Sequence, residues 1–300
     1  MKFGIVGAGA IGLTLGAQLA ACHDVLILAR RAEVAGLLER NGITVTGDGT
    51  DRTVAVRATV DPAAFGDREA VLIAVKAHAT SGAVSPLRGI LRPTALVVSL
   101  QNGIDNVRSV REALPEARIV AGSTTQGAIA SGDGRVRPVN RGITTFARSD
   151  DVSPTSAEIA GAFSAAGLDA RVEDDVDLLL WRKLVVNAAI NPLCGLTGRT
   201  NGDAVGDPDL APLARALAAE AAQVAAAEGI AIGDPWAAVE AAAEATAANR
   251  NSMLQDLDAG RRTEIDAISG AIVQRAGAHG IAVPLTEAML RLVHARERRP

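Results

Sequence analysis

The chain has 300 residues, a formal net charge of −4, 48% hydrophobic residues and only 2% aromatic ones, with no tyrosine. That length predicts two domains, and the apolar content excludes a disordered chain while requiring aliphatic, alanine-rich cores. The acidic balance gives no support for a nucleic-acid partner, which calls for a basic face.

The first half alternates short β-branched runs with helical patterns. Strands are expected at 2–7, 24–29, 70–76, 95–101 and 118–124, and helices at 11–21, 32–40, 80–91 and 105–113. A hairpin insertion is expected between 43 and 59. Near-continuous apolar strands suit a parallel sheet covered on both faces, so the alternation predicts an open, doubly wound α/β sheet. The stretch "GDGRVRPVNRGITTFA" (132–147) reads as two short strands that extend the sheet antiparallel, followed by a loop at 149–156 and a helix at 156–166. From Val172 onward the pattern is helical, at 174–191, 209–229, 235–257, 263–279 and 285–296, punctuated by Gly229, Gly233, Gly260 and Gly280. These readings place a dinucleotide-binding domain at 1–171 and a helical substrate-binding domain at 172–300.

Met1 leads directly into "KFGIVGAGAIG", with no signal-peptide pattern. No uncharged apolar run of about 18 residues appears, so a cytoplasmic protein without membrane association is expected. Cys22 and Cys194 stand in no metal or CxxC spacing and read as small buried hydrophobes. His23, His78, His279 and His294 are scattered, so no metal site is expected.

"GAGAIG" sets Gly7, Gly9 and Gly12 in a GxGxxG spacing between the first strand and the first helix. That context makes residues Gly7, Ala8, Gly9, Ala10, Ile11 and Gly12 a dinucleotide fingerprint. The glycines serve the turn, the approach to a pyrophosphate and helix–sheet packing, and the helix N-terminus favours the anion. NAD-specific folds carry an acid at the end of the second strand. Here the strand ends in "LARR", so Arg30 and Arg31 favour a 2′-phosphate and hence NADP(H), with Glu33 as the alternative acid for NAD(H). Lys76 and Asn102 lie at the carboxyl ends of two core strands, where ligands sit in such sheets. A solvated lysine and a plain Asn-Gly turn are the competing explanations.

"WRKLVVNAAIN" (181–191) puts Lys183, Asn187 and Asn191 four residues apart, on one face of an apolar helix. A buried ammonium and two buried amides are costly without partners or a ligand. With no tyrosine in the chain, tyrosine–lysine acid chemistry is excluded. Lys183 is then the best proton donor, because burial brings a lysine pKa toward neutrality. Pairing with a structural acid is the alternative. Pro192 should end or kink this helix near Asn191. In "NSMLQDLDAGRRTEID" (251–266), Ser252 lies on a helix that stops before Gly260, and Thr263 with Asp266 reads as a capping box. Glu264 then falls in the first turn, where a carboxylate is favoured and simple helix-dipole compensation would also explain it.

"GAGAIG", "VKA" (75–77), "NG" (102–103), "WRKLVVNAAINPL" (181–193), the 251–266 stretch and "AHGIAVP" (278–284), in this order, resemble the ketopantoate reductase (2-dehydropantoate 2-reductase) family over most of the chain. The resemblance implies an N-terminal Rossmann-type doubly wound sheet with an all-helical C-terminal domain. It implies NADPH-dependent reduction of ketopantoate to pantoate, a step of pantothenate and coenzyme A biosynthesis. By it, Lys183 is the general acid for the ketone oxygen, Asn187 and Asn191 bind the substrate, and Ser252 takes its carboxylate. Glu264 holds the substrate hydroxyl and orders the site beside the cofactor. Arg30 sits by the 2′-phosphate, with Lys76 and Asn102 near cofactor and substrate. Ala79 departs from the polar residue that some members carry near the cofactor. The competing functions are reduction of another keto or hydroxy acid on the same scaffold, and a non-catalytic NADP(H)-binding regulator. The alanine-rich helices could bury a homodimer face or pack internally.

Overall fold

The computed structural model describes residues 1–47 and 51–298. The chain divides into two compact units, residues 1–101 with 106–176, and residues 102–105 with 177–300.

The first unit contains β1 (Lys2–Val6), α1 (Ala10–Leu19), β2 (Asp24–Leu28), α2 (Ala32–Asn41), β3 (Ile43–Val45), β4 (Arg52–Val54), β5 (Arg57–Thr59), β6 (Ala70–Ile73), α3 (Thr80–Val84), β7 (Leu96–Ser99), α4 (Asn106–Ala113), β8 (Arg118–Thr124), β9 (Gly127–Ala130), β10 (Arg135–Asn140), β11 (Thr144–Ala147), α5 (Ser156–Ala165) and β12 (Ala170–Glu173). An eight-stranded sheet runs in the order β12-β11-β8-β7-β6-β1-β2-β5. Its pairs are parallel except β11 against β8. β1 lies between β2 and β6, and the chain builds outward in opposite directions on its two sides. The carboxyl ends of β1 and β6 therefore form the switch point at which open α/β sheets bind ligands.

A four-stranded sheet, β4-β3-β10-β9, lies beside the first. β9 and β10 pack on α1. That double cover explains why α1 has no polar stripe: Gly12 to Ala17 and Leu19 are all buried. The small sheet corrects two expectations. β10 pairs with β9 and β3 rather than extending the main sheet, and only β11 adds antiparallel to it. Of the 43–59 insertion, β3 and β4 pair antiparallel, with residues 48–50 between them outside the described residues, while β5 joins β2 in the main sheet. The helix expected over 80–91 is only α3, followed by a short 3-10 turn at Ser85–Leu87 where Pro86 interrupts it. β12 crosses the position near 171 where a domain boundary is expected.

The second unit contains α6 (Val176–Thr197), α7 (Asp203–Gly206), α8 (Leu210–Ala227), α9 (Pro235–Ala245), α10 (Ser252–Asp258), α11 (Ala271–His279) and α12 (Pro284–Glu297). α8 buries Ala214, Leu217, Ala218, Ala221, Val224 and Ala225 at helical spacing, and its small side chains let α7, α9, α11 and α12 pack against it. The helix expected over 235–257 is broken. Asn201 bonds Thr246 through its amide and Asn251 bonds Asn201, so polar side chains replace the helical ladder between α9 and α10. Pro192 does not end α6, which continues to Thr197. Leu193 and Cys194 beyond it are buried, and Gly195 lies against Leu257 and Met253, so packing overrides the local preference. Cys194 is a buried hydrophobe as expected, with its thiol pushed up to about 12 by burial, but Cys22 is exposed.

Three of the four phenylalanines form one cluster in the first unit. Phe163 of α5 meets Phe3 and Phe146 edge-to-face, with ring centroids 6.1 and 5.1 Å away, and all three are fully buried. With so few aromatics, this cluster fixes α5 on the sheet. Phe163→Ala is expected to destabilise the protein by about 3–5 kcal/mol, read as a lower urea midpoint with an unchanged denaturant slope.

Candidate active site

In the first unit, Gly7 follows β1 with φ +115°, a conformation open mainly to glycine, and its amide donates to Leu28 O at 3.0 Å. An added Cβ at Gly12 would collide with the Gly7 carbonyl, so α1 can start this close to β1 only through glycine. Gly9 differs. A Cβ there would find only Ala74 O, at 4.0 Å, so no protein atom demands a glycine at the N-cap of α1. The N-cap has no side-chain acceptor and the first turn of α1 has no acid. The positive end of α1 thus carries neither a capping side chain nor an acid at the switch point, which fits a pyrophosphate.

Arg30 and Arg31 follow β2 and are exposed, Arg31 as the N-cap of α2, with Glu33 exposed in its first turn. At its carboxyl end β2 leads through Leu28 into Ala29, with no acid at that end. Lys76 is half-buried after β6 as the cap of a short 3-10 turn at Ala77–Ala79. Gln101 at the end of β7 is buried, donating to Val75 O at 2.9 Å and Thr80 Oγ1 at 2.6 Å. Among the described residues, no group of His, Cys, Asp and Glu has the arrangement to hold a metal ion.

In the second unit, α6 carries Lys183, Asn187 and Asn191. Lys183 and Asn187 are partly buried and Asn191 is 6% exposed. Because α6 runs on past Pro192, Asn191 is a mid-helix residue rather than a freed terminus. Burial pushes the Lys183 ammonium down from 10.5 to about 8, and the Glu264 carboxylate opposes that shift. Glu264 accepts a hydrogen bond from Asn102 Nδ2 at 2.8 Å. Geometry and charge therefore join three of the expected residues, Lys183, Glu264 and Asn102. Ser252 is an exposed residue in the first turn of α10, which Asn251 caps by accepting from the Leu254 amide.

The expected capping box does not form. Thr263 bonds Glu297 through both its amide and its hydroxyl, at 2.7 and 2.6 Å. Asp266 instead pairs with Arg262 and His294, each at 2.8 Å. Glu264 precedes a π-helical turn at Asp266–Gly270, which leads into α11. Such turns re-aim side chains locally. Asp105 and Arg275 were absent from the expectations, yet they form a fork-to-fork ion pair at 2.8 and 3.0 Å in this unit. The sequence signal for Arg275 is its charge within the largely apolar helical run 267–278.

Two outcomes test these assignments. Gly12→Ala should lower the melting temperature because a backbone atom must move, whereas Gly9→Ala should leave it nearly unchanged and weaken dinucleotide binding, read by fluorescence titration. Lys183→Met tests the desolvated amine. A folded-state pKa of about 8 against 10.5 makes the unfolded state bind the proton more tightly between these values. The charged form therefore costs stability in full below pH 8, by at most about 3 kcal/mol, and the cost fades as pH rises to 10.5. The methionine variant should be more stable than the parent at pH 7, with the difference closing at high pH in urea titrations.

Two family models match the chain: ketopantoate reductase PanE/ApbA over residues 3–151 and ketopantoate reductase PanE/ApbA C terminal over residues 175–297. A 2-dehydropantoate 2-reductase of Archaeoglobus fulgidus is 36% identical, covering 98% of this chain and 97% of that one. Another, from Halobacterium salinarum, is 33% identical over 99% of both. Among solved structures, a PanE/ApbA family ketopantoate reductase from Ralstonia eutropha superposes with TM-score 0.90 at 34% identity, covering 99% and 98% of the two chains. A D-mandelate dehydrogenase with NADH and anilino(oxo)acetate reaches TM-score 0.90 at 26% identity with the same coverage. Motifs, fold and full-length similarity lead to one conclusion: the chain belongs to the ketopantoate reductase family.

Proposed function

We propose that the protein reduces ketopantoate to pantoate with NADPH, the step that supplies pantoate for pantothenate and coenzyme A. The observation that carries this reading is Lys183, whose amine is drawn to a pKa of about 8 on a buried helix and lies within the field of Glu264. A group poised there can give up a proton near neutral pH.

The amides at the start of α1 hold the pyrophosphate, with Gly7, Gly9 and Gly12 allowing its approach, and Arg30 with its neighbour Arg31 receives the 2′-phosphate. Lys76 and Asn102 serve the same ligand. When bound, NADPH supplies the hydride. Lys183 donates the proton to the ketone oxygen, and its positive charge stabilises the alkoxide as it forms. Asn187 and Asn191 donate to the substrate from the same helix face, one and two turns on. Ser252 binds the carboxylate. Glu264 accepts from the substrate hydroxyl while Asn102 holds its other oxygen. The assignment of the 1–171 and 172–300 parts to cofactor and substrate follows from the same reading.

A second reading has a specific observation behind it. The D-mandelate dehydrogenase neighbour has the same fold and was solved with NADH, so reduction of another 2-keto acid with NADH is the competing activity. Absorbance at 340 nm decides between them. Ketopantoate with NADPH should give the highest kcat/KM among a panel of branched and aromatic 2-keto acids with both cofactors. A higher value for an aromatic keto acid with NADH would favour the second reading, and nucleotide binding without turnover would refute both. Lys183→Ala should lower kcat by roughly 100-fold or more while NADPH affinity stays close to that of the parent. In the parent, kcat for reduction should decline above pH of about 8, as Lys183 loses the proton it must donate.

A further inference from the structure

Residues Asn102–Asp105 belong by their packing to the helical unit, although the chain on either side of them belongs to the first unit. All four are tied down. Asn102 donates to Glu264 at 2.8 Å. Gly103, at φ +95°, lies so close to the Ala267 carbonyl that an added Cβ would stand 2.7 Å from its oxygen. Ile104 packs into the core formed around α6 and α8. Asp105 receives two parallel bonds from Arg275, Nη2 to Oδ1 at 2.8 Å and Nη1 to Oδ2 at 3.0 Å. Asn102, Gly103 and Asp105 thus contact the 264–275 stretch, which runs from Glu264 through the π-helical turn into α11.

Arg275 is itself held from several sides. Its Nε lies 3.7 Å from Glu228, which also pairs with His279 at 2.7 Å. Its guanidinium sits 6.0 Å from the ring centroid of Trp181, two residues before Lys183 on α6. Arg275 is 20% exposed and Asp105 27% exposed, so the pair is partly sheltered from screening and has the bidentate geometry that makes arginine–carboxylate contacts directional. One cation therefore connects the Asn102 segment, α11 and the helix of the proton donor.

We propose that the Asp105–Arg275 pair is a positioning device for the active site: it fixes the Asn102–Asp105 segment on the helical unit, so that the Asn102 amide holds the Glu264 carboxylate in place beside Lys183. Neither Asp105 nor Arg275 touches the reacting atoms. Their effect passes through Asn102, and the proposal rests on the reductase reading for the role of Lys183 and Glu264.

The test uses the full-length protein with Asp105→Asn, Arg275→Lys, Asn102→Ala and the Asn102→Ala/Asp105→Asn double variant. Asp105→Asn should lower kcat on ketopantoate by roughly ten- to a hundredfold, the cost of misplacing a catalytic group, a larger change than in KM for NADPH. Arg275→Lys keeps the attraction without the fork and should retain an intermediate kcat. In the Asn102→Ala background, Asp105→Asn should cost less than about twofold more, because coupled residues are non-additive. Full additivity, or a lower melting temperature with unchanged kcat, would overturn the proposal. Hydrogen exchange supplies a readout independent of activity: the amides of 103–106 should exchange faster in Asp105→Asn, by about tenfold or more. If the parent protein reduces no keto acid, the reductase reading fails on its own, and the exchange data still decide whether the pair holds the segment.

Discussion

A lysine ammonium inside a mostly apolar helical unit is the constraint on which the rest of this structure turns. Removing it from water lowers its pKa to about 8, and the charge is tolerable only with a carboxylate near it. Glu264 is that carboxylate, and it too is held, by the Asn102 amide at 2.8 Å. The unit has traded stability for a group poised near neutral pH, and its neighbours exist to keep that trade in register. α6 can carry such a residue because eleven of its positions, from Trp181 to Gly195, are buried and hold the helix through a proline that would otherwise break it.

The first unit solves a different problem with a different economy of means. Its glycine loop is almost all backbone. Gly7 turns the chain out of β1, Gly12 lets α1 start against that turn, and a Cβ at Gly9 would meet, among the described residues, nothing nearer than Ala74 O at 4.0 Å. The two sheets then clamp α1 from both sides, so the amides at its N-terminus are held by burial of nearly the whole helix rather than by a capping side chain. A rigid helix end without an acid in its first turn is what a doubly charged phosphate linkage requires.

The Asn102–Asp105 segment shows how a short stretch of chain can belong to one part of the sequence and to another part of the structure. Asn102 follows the buried Gln101, whose amide is spent on Val75 and Thr80 in the first unit. One residue later Asn102 bonds Glu264, Gly103 lies against Ala267 and Asp105 pairs with Arg275, all in the helical unit. A residue that reads as the end of a sheet strand is thereby made a partner of Glu264, more than 160 positions away in the chain.

Local chemistry made some of this molecule legible from residues alone. The glycine spacing after a strand, the absence of tyrosine, the Arg30–Arg31 pair in place of an acid, and the i, i+4, i+8 placing of Lys183, Asn187 and Asn191 are all properties of nearest neighbours and helical period. With the strand and helix patterns they marked the doubly wound half and the helical half, and they singled out Lys183 as the candidate proton donor. What failed were inferences in which a distant partner outcompetes a local preference. Asp266 pairs with His294, 28 positions on, instead of capping with Thr263. Pro192 stays inside α6 because Leu193 and Cys194 are buried beyond it. β10 leaves the main sheet to cover α1, and Asn201 breaks the helix between α9 and α10. Sequence by itself determined which residues could carry the chemistry. Only tertiary structure decided that Asn102 meets Glu264 and that Arg275 holds Asp105, because hydrogen bonds and ion pairs between remote positions leave no periodic trace in the chain.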